Sequence, residues 1–325
     1  MPLEFAEEFR RPWFIRGAHP QTIFVNLFRK PTFIRPEREK VLTPDGDFFL
    51  VDWYKQGSKK CIIIAHGLEG DSKRQYVRGL GKTMFDEGWD VLAKNFRSCG
   101  GKINYLPGSY HCAHTQDLEL LVDRIQAEGV YDTLVLAGFS LGGNVSLLYA
   151  GRKASEMPSV VKAVVGVSVP CDLVESVDEL DAPKNRHYLL QFFRPLKNKV
   201  RQKVGRGIIS KDRAKLIYKA KNFRELDEVY TAPLHGFDSA RDYWAKASSL
   251  SHLTQIRVPS LLINAMDDTF ISKTCFPTEI AKSSPDFHLV IPPVGGHVGF
   301  VSGFPWTSLW SEQKIKSFLI DTLSL

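Results

Sequence analysis

A strand, a tight turn and a helix at residues 134–151 constrain this chain more than any other feature of its sequence. The turn and its preceding strand read LVLAGFSLGG, an apolar run that predicts a buried strand, and a helix-compatible stretch follows. Between the predicted strand and the helix, Gly138, Ser140 and Gly142 have the spacing G-x-S-x-G. A serine held in a strained turn needs small neighbours, because backbone and side chains pass close together there. The pattern therefore predicts a serine hydroxyl exposed at the N-terminus of a helix.

Strand-like and helix-like segments alternate along the rest of the chain. Within residues 39–55, a Thr-Pro-Asp-Gly turn between two strand-like runs predicts a hairpin. Further strands are predicted at 61–67, 89–95, 160–169, 257–265 and 286–292, and helices at 75–87, 115–128 and 307–323. This alternation is typical of a mostly parallel sheet that helices cover on both faces. We therefore predict an α/β fold.

One long segment interrupts the alternation. Residues 172–255 follow the sixth predicted strand and have a helical pattern. We expect a helical cap at 172–255, inserted into a core formed by 1–171 and 256–325. Such a cap would cover Ser140 and exclude water, with residues 189–193 among the candidate linings of an acyl pocket.

Positive charge is concentrated in this predicted cap. The whole chain has a net charge of +7, but residues 184–224 contain 14 Lys or Arg against one acid, so the remainder carries −6. Apolar residues at helical spacing indicate amphipathic helices with basic outer faces. Two interpretations stay open: a solvated face, or a surface that attracts anionic lipid or an acidic substrate. Nucleic acid is not expected as a partner, because no recognised binding motif accompanies the charge.

Composition and the N-terminal residues predict a cytoplasmic protein. The chain is 43% hydrophobic and 24% charged, which suits a large core, yet no stretch approaches the roughly 20 apolar residues of a membrane span. Residues 1–17 place acids and a proline where a signal peptide would have a positive start and an apolar run. The five cysteines lack a C-x-x-C pair, which fits free thiols in a reducing compartment.

Two downstream loops supply groups that could activate Ser140. Asp267 and Asp268 follow one predicted strand, and His297 follows the next. Parallel sheets place their sites at these carboxyl ends of strands. We expect His297 to act as general base and acid, while an aspartate fixes its tautomer and stabilises its charged form. We prefer Asp268, four residues beyond Asn264 and ahead of an apolar pair, and expect Asp267 to cap the following turn.

Backbone N–H groups are needed where negative charge develops on the substrate carbonyl oxygen. We expect one from Leu141, directly after the nucleophile, and the other from Leu68 in the HGLEG loop that follows a predicted strand. We assign His66, Phe139 and Phe237 to substrate binding.

Several other residues could be interpreted as functional. His111, His114 and Asp117 could be written as a metal site, but the mechanism needs no metal and no further ligands have convincing spacing, so we predict no metal and no cofactor. Cys99 lies near the expected site without a partner that would activate it. His19 and Arg97 lie in long loops that could bring them to the site.

Motif blocks that span most of the chain point to one family. They lie at residues 17–22, 66–76, 95–101, 110–118, 137–144, 168–173, 232–244, 264–268 and 295–300. In this order they resemble the YheT-like branch of the α/β-hydrolase superfamily, also called the AB hydrolase 4 family. The resemblance implies an α/β-hydrolase fold and a Ser-Asp-His hydrolase of carboxylic esters, with Ser140, Asp268 and His297 at the matching positions.

These observations lead to one primary hypothesis and two alternatives. The primary one is a serine hydrolase that cleaves small-molecule carboxylic esters through an acyl-enzyme on Ser140. A non-catalytic ligand-binding or scaffold protein is one alternative, although it would have no chemical need for all three residues. The other is a lipid ester or thioester hydrolase at an anionic membrane surface, which would contact the membrane peripherally and differs only in substrate.

Overall fold

A nine-stranded sheet organises the part of the chain that the computed structural model describes, residues 2–303 and 308–323. Its strands are β1 (Leu3–Glu4), β2 (Glu37–Leu42), β3 (Phe48–Tyr54), β4 (Lys60–Ala65), β5 (Asp90–Asn95), β6 (Thr133–Phe139), β7 (Val161–Val167), β8 (Ser260–Ile263) and β9 (Phe287–Val290). Their order across the sheet is β1-β9-β8-β7-β6-β4-β5-β3-β2. In this order, every pair of neighbouring strands from β1 across to β5 is parallel. β3 is antiparallel to both β5 and β2. The predicted fold class, a mostly parallel sheet, is confirmed.

The central strands are buried on both faces because nearly every side chain along them is apolar. In β4, Ile63 packs into the core on one face, whereas Ile62 and Ile64 pack into the core on the other. In β6, Leu136 and Val135 divide between the same two cores. Continuous apolar runs of this kind are expected where helices cover both faces of a parallel sheet.

Helices surround the sheet and also form a separate layer. Those in the described residues are α1 (Ala18–Phe28), α2 (Gln75–Asp86), α3 (Gln116–Glu128), α4 (Leu141–Lys153), α5 (Leu173–Asp181), α6 (Arg186–Gly205), α7 (Lys211–Lys219), α8 (Phe223–Leu226), α9 (Ala232–Leu234), α10 (Ala240–Ala247), α11 (Thr278–Ser283) and α12 (Trp310–Leu323). Of the helices expected from the sequence, α2, α3 and α12 are present, while Thr307, the expected start of α12, lies outside the described residues. None of the helices in the described ranges combines the length and apolar character that a bilayer crossing requires.

Helices α5 to α10 follow β7 and precede β8. Polar side chains begin four of them: Asp172, Ser210, Asn222 and Ser239 each accept a hydrogen bond from the backbone N–H three residues later. Apolar side chains of these helices share a core of their own, centred on residues such as Phe193. The boundaries 172–255 for a cap domain stay a prediction.

The strand count differs from the sequence prediction by one. β1 pairs in parallel with β9 through Leu3 and Glu4, so the helical segment follows the seventh strand and not the sixth. A two-residue strand is too short for its alternation to be read from sequence.

The chain reverses direction across the sheet at β4, which lies between β5 and β6. Loops that leave the carboxyl ends of β4 and β6 therefore diverge and open a crevice at that edge, where open α/β sheets bind ligands. The HGLEG loop follows β4 and Ser140 follows β6.

Candidate active site

Ser140 occupies a strained turn that two glycines make sterically accessible. Its backbone has φ of 53° and ψ of −121°, in a region that L-residues rarely adopt. A Cβ on Gly138 would lie 2.2 Å from the carbonyl carbon of Gly142, and one on Gly142 would lie 2.5 Å from the carbonyl oxygen of Ala65. Both contacts are too close for any larger residue, which explains the spacing of the motif. The Ser140 N–H donates to the Val167 carbonyl at 2.8 Å and ties the turn to β7.

Ser140, His297 and Asp268 form a continuous chain of hydrogen bonds. The Ser140 hydroxyl lies 2.9 Å from His297 Nε2, and His297 Nδ1 lies 2.8 Å from Asp268 Oδ2. Asp268 Oδ1 accepts the Phe270 N–H at 2.9 Å, and the Phe270 ring stacks on the imidazole with centroids 4.3 Å apart. The aspartate therefore fixes the Nδ1–H tautomer, which leaves Nε2 free to accept the serine proton.

The neighbouring Asp267 contacts the backbone of the loop that carries His297. Asp267 Oδ1 accepts the Gly296 N–H at 2.8 Å, and burial raises the pKa of the Asp267 carboxyl. The structure thus brings Asp268, and not Asp267, to the imidazole of His297. Asp267 fastens the backbone just before His297 instead of capping the turn after itself.

Support for His297 also comes from the N-terminal segment, which the sequence prediction did not assign a role. The Thr22 hydroxyl accepts the His297 N–H at 2.9 Å and donates to the Ala18 carbonyl at 2.9 Å. Gly296 has φ of 58°, and a Cβ there would lie 2.4 Å from the same carbonyl oxygen. Ser168 accepts the Val298 N–H at 2.9 Å. The motif block at residues 17–22 was the sequence signal for this contact.

Leu68 and Leu141 both line the crevice next to Ser140. Neither backbone N–H has an acceptor among the described residues. The HGLEG loop runs against the nucleophile, since a Cβ on Gly67 would lie 3.2 Å from Ser140 Cβ. Leu141 is the first residue of α4, whose N-terminus favours negative charge. Two unpaired donors beside a serine hydroxyl match the requirements of an oxyanion hole.

His66 lies behind this loop and not in the crevice, so its assignment to substrate binding is wrong. It is fully buried, and its Nε2 accepts the Phe96 N–H at 3.1 Å. Its Nδ1 therefore carries the proton and donates to the Gly67 carbonyl at 2.7 Å. Burial lowers the pKa of His66 to about 3, which keeps the ring neutral. Because a trans peptide is planar, a Gly67 carbonyl held by His66 directs the Leu68 N–H the opposite way.

Phe139 and Phe237 are also absent from the crevice wall. Phe139 is buried beneath the turn against Tyr76, with ring centroids 4.7 Å apart, and the Tyr76 hydroxyl accepts the Gly67 N–H at 3.2 Å. Phe237 packs against His111 and Tyr243 at centroid distances of 5.4 and 5.1 Å. Both assignments to substrate binding are therefore corrected: Phe237 supports His111 and Tyr243, which line the site, whereas Phe139 packs on Tyr76 beneath the turn.

Other candidates from the sequence are engaged elsewhere. Arg97 is paired with Asp117 at 2.7 Å and with Asp45 at 2.6 Å, and His114 contacts the same Asp117 carboxylate at 3.1 Å. The described residues contain no group of three or more metal-ligating side chains. His19 contacts the Tyr188 hydroxyl at 3.1 Å, and the Tyr188 ring packs on Phe270.

Comparisons with known proteins show to which family the chain belongs. A family model described as the alpha/beta hydrolase fold matches residues 60–304, more than half of the chain. The chain belongs to the α/β-hydrolase family. Within that family, this hydrolase is 29% identical to YheT of Escherichia coli (strain K12), with 94% of this chain and 91% of YheT covered, which confirms the YheT-like resemblance. It is 27% identical to phospholipase ABHD3 of Homo sapiens, with 94% of this chain and 76% of ABHD3 covered.

A third sequence relative and a solved structure extend the comparison. Monoacylglycerol lipase of Saccharomyces cerevisiae is 26% identical, with 86% of this chain and 62% of the lipase covered. An esterase structure from Pyrobaculum calidifontis superimposes with a TM-score of 0.60 at 16% identity, covering 94% of this chain and 91% of that one. At that identity, the structural likeness shows the fold alone. The sequence relatives place this α/β hydrolase among those of the esterase and lipase type.

An apolar cavity opens from Ser140 and His297 beneath the helices that follow β7. Its walls include side chains from α5, α6, α8 and α10, among them Leu173, Val177, Phe192, Leu196, Phe223 and Trp244. Of the lining expected at residues 189–193, only Phe192 is in the wall; Leu189 and Phe193 belong to the core of the helical segment.

A charged pair interrupts the apolar wall beside Leu68. Lys199 of α6 donates to Glu69 Oε1 at 2.9 Å and lies 3.2 Å from Cys99 Sγ. Burial lowers the pKa of Lys199, but Cys99 and Glu69 raise it more, so the ammonium stays charged. Burial raises the pKa of Cys99 to about 11, which keeps its thiol protonated. The Tyr110 hydroxyl accepts the Glu69 N–H at 2.8 Å and donates to the Glu69 carboxylate at 2.9 Å.

Proposed function

We propose that this α/β hydrolase is a serine carboxylester hydrolase that acts through an acyl-enzyme on Ser140. The observation that carries the proposal is the hydrogen-bond chain from Asp268 through His297 to the Ser140 hydroxyl, at the mouth of an apolar cavity. The two N–H groups of Leu68 and Leu141, without acceptors among the described residues, support the same conclusion.

The geometry supports a two-step acyl transfer. Ser140 Oγ attacks the ester carbonyl carbon as His297 Nε2 takes the hydroxyl proton, and the carbonyl oxygen becomes an oxyanion held by the Leu68 and Leu141 N–H groups. His297 then gives the proton to the departing alkoxide, which leaves as an alcohol. Water then loses a proton to His297 and attacks the acyl-enzyme carbonyl; as the bond to Ser140 Oγ breaks, His297 returns the proton to that oxygen and the acid leaves. Asp268 stabilises the imidazolium in both steps without taking its proton.

The cavity supports an ester with an aliphatic acyl group as substrate. Its walls are largely apolar, and relatives of this chain are named phospholipase and monoacylglycerol lipase. We therefore place lipid-like esters ahead of short polar ones. In this proposal helices α5 to α10 act as a cap that excludes water from the acyl-enzyme.

A cytoplasmic location remains part of the proposal. It is supported by the five cysteines, all of which are free thiols, because such thiols persist in a reducing compartment.

A fluorophosphonate probe and p-nitrophenyl esters of increasing acyl length test the proposed function. We expect the probe to label the wild-type protein and ester turnover to rise with acyl length until the cavity is filled. Ser140→Ala should abolish labelling, and His297→Ala should reduce turnover at least 1,000-fold, since triad members act as one unit. A folded wild-type protein that neither labels nor turns over any ester would favour the non-catalytic binding protein.

A further inference from the structure

Residues near the N-terminus form a cluster of large apolar side chains at the surface, outside the cavity. We call it the N-terminal aromatic patch and define it as the exposed Trp13, Phe14, Leu27 and Phe28, together with the half-buried Phe24 that connects Phe14 to Phe28. Trp13 is 80% exposed, Leu27 62% and Phe28 64%. Single exposed apolar residues are common on proteins, but clusters of them mark interaction sites.

The rings of the patch contact one another in sequence. Trp13 and Phe14 have centroids 5.7 Å apart, Phe14 and Phe24 6.2 Å, and Phe24 and Phe28 5.0 Å. Leu27 adjoins Phe28 on α1. The patch is therefore one continuous surface, built from the segment before α1 and from the outer face of α1 itself.

The segment that carries the patch has charge of a single sign, and the exposed acids Glu7 and Glu8 lie just before it. Residues 9–36 contain six Lys or Arg and no acidic residue. Arg29 is buried against Glu312 at 2.7 Å, whereas Arg10, Arg16 and Lys30 are exposed. Aromatic side chains flanked by exposed cations are the composition of segments that lie in the headgroup region of anionic membranes.

The patch also shares an element with the candidate active site. The first turn of α1 holds His297 in place through Ala18 and Thr22, while the last turn carries Leu27 and Phe28. A surface that docks on the last turn is thus less than two helical turns from Thr22, which fastens the His297 loop.

We propose that the N-terminal aromatic patch docks this hydrolase onto an anionic lipid surface. Trp13, Leu27 and Phe28 enter the boundary between headgroups and acyl chains, and Arg10, Arg16 and Lys30 neutralise lipid phosphates. The exposed cations favour this occupant over a second copy of the chain, because two such patches facing each other would repel.

Vesicle sedimentation tests the proposal with a matched control. Wild-type protein should sediment with phosphatidylcholine vesicles that contain 30% phosphatidylglycerol, and at least ten-fold less with phosphatidylcholine alone. Trp13→Ser combined with Phe28→Ser should weaken binding at least ten-fold. Leu42→Ser on edge strand β2, where the native side chain is 67% exposed, should leave it unchanged. Lys211→Gln combined with Lys215→Gln, on α7, tests whether the basic helices bind the vesicles instead of the patch. This variant should bind vesicles like the wild type.

Two further measurements keep this proposal distinct from the proposed function. Ser140→Ala should bind vesicles like the wild type, and the patch variant should hydrolyse p-nitrophenyl acetate at the wild-type rate, which also shows that it is folded. Binding that fails to occur on anionic vesicles, or that persists in the patch variant, overturns the proposal. Concentration-dependent dimerisation that the same variant abolishes also overturns it, in favour of a second copy as the occupant.

Discussion

At the scale of single residues, Gly142 determines whether the nucleophile turn can approach β4. A Cβ at this position would lie 2.5 and 2.6 Å from the carbonyl oxygens of Ala65 and His66, both of them backbone atoms. Backbone cannot rotate aside as a flexible side chain can. Because Ala65 ends β4 and His66 begins the HGLEG loop, any shift would also move the Leu68 N–H.

We therefore predict that Gly142→Ala lowers the rate of fluorophosphonate labelling at least 100-fold and destabilises the fold. Gly205→Ala is the control, since a Cβ there has nothing within 4 Å and Gly205 lies in α6. Alanine in a helix should preserve labelling and raise the free energy of unfolding by about 0.5–1 kcal/mol. Labelling rates and thermal denaturation measure both effects. Normal labelling in Gly142→Ala would contradict the account of the turn.

Asp227 makes a contribution to the stability of the folded protein that depends on pH. It lies in a π-helical turn at 227–231, lines the cavity, and accepts hydrogen bonds from Trp244 Nε1 at 2.8 Å and the Thr231 hydroxyl at 2.6 Å. Burial raises the pKa of this carboxyl from 3.8 to about 6. The folded state therefore binds more protons than the unfolded state between about pH 4 and 6, so this contribution is full below pH 4 and is lost as pH rises through 6.

A neutral amide at position 227 does not ionise, so the variant should not lose this stability as the pH rises. Asp227→Asn should raise the melting temperature at pH 8 by about 2 °C or more, which corresponds to about 1 kcal/mol in a large chain. The difference from wild type should shrink as pH falls towards 4. Thermal denaturation at pH 4, 6 and 8 measures it, and a constant difference at every pH would show that the carboxyl is not the titrating group.

At the scale of elements, α6 contacts the core through two lysines one turn apart. Lys199 binds Glu69 next to the Leu68 donor, and Lys203 is fully buried and donates to the carbonyls of residues 106–108 and to Ser109 Oγ. The basic outer faces predicted for this segment therefore do not include these two lysines, which point inward. Helical periodicity could not reveal it, because a long lysine stem can lie against apolar neighbours while its ammonium reaches core carbonyls.

The contact between α6 and the HGLEG loop should affect the chemical step more than substrate binding. We predict that Lys199→Met lowers kcat about ten-fold with little change in KM, because the loop that carries the Leu68 N–H loses its anchor. Lys197→Met is the control: Lys197 lies on the same helix and donates to the carbonyls of Tyr218 and Ala220. Steady-state kinetics with one p-nitrophenyl ester distinguishes the two. A change confined to KM would assign Lys199 to substrate binding instead.

At the scale of the whole molecule, the sequence predicted the parts of the site that follow strands in chain order. Ser140, Asp268 and His297 could be placed because each follows a recognisable apolar run, and a parallel sheet brings such ends to one edge. The choice between the two adjacent aspartates rested on spacing alone, and the structure brings Asp268 to the imidazole.

What the sequence could not predict depends on which way a side chain points, or on contacts between distant segments. His66 belongs to a motif whose pattern does not say which side of the loop faces the substrate. Thr22 meets the His297 backbone across 275 residues, and Lys199 meets Glu69 across 130. Periodicity and turn signals describe local structure, so they reveal neither contact. The motif block at residues 17–22 marked Thr22 as part of a family pattern without showing what it touches.

Mass spectrometry of the intact protein during turnover shows whether Ser140 is the nucleophile. With a slowly hydrolysed p-nitrophenyl ester, we expect one acyl adduct per chain, mapped to Ser140 by peptide fragmentation and absent from Ser140→Ala. In His297→Ala the adduct should form at least 100-fold more slowly. An adduct on another residue, or ester hydrolysis that survives in Ser140→Ala, would contradict the assignment of Ser140 as the nucleophile.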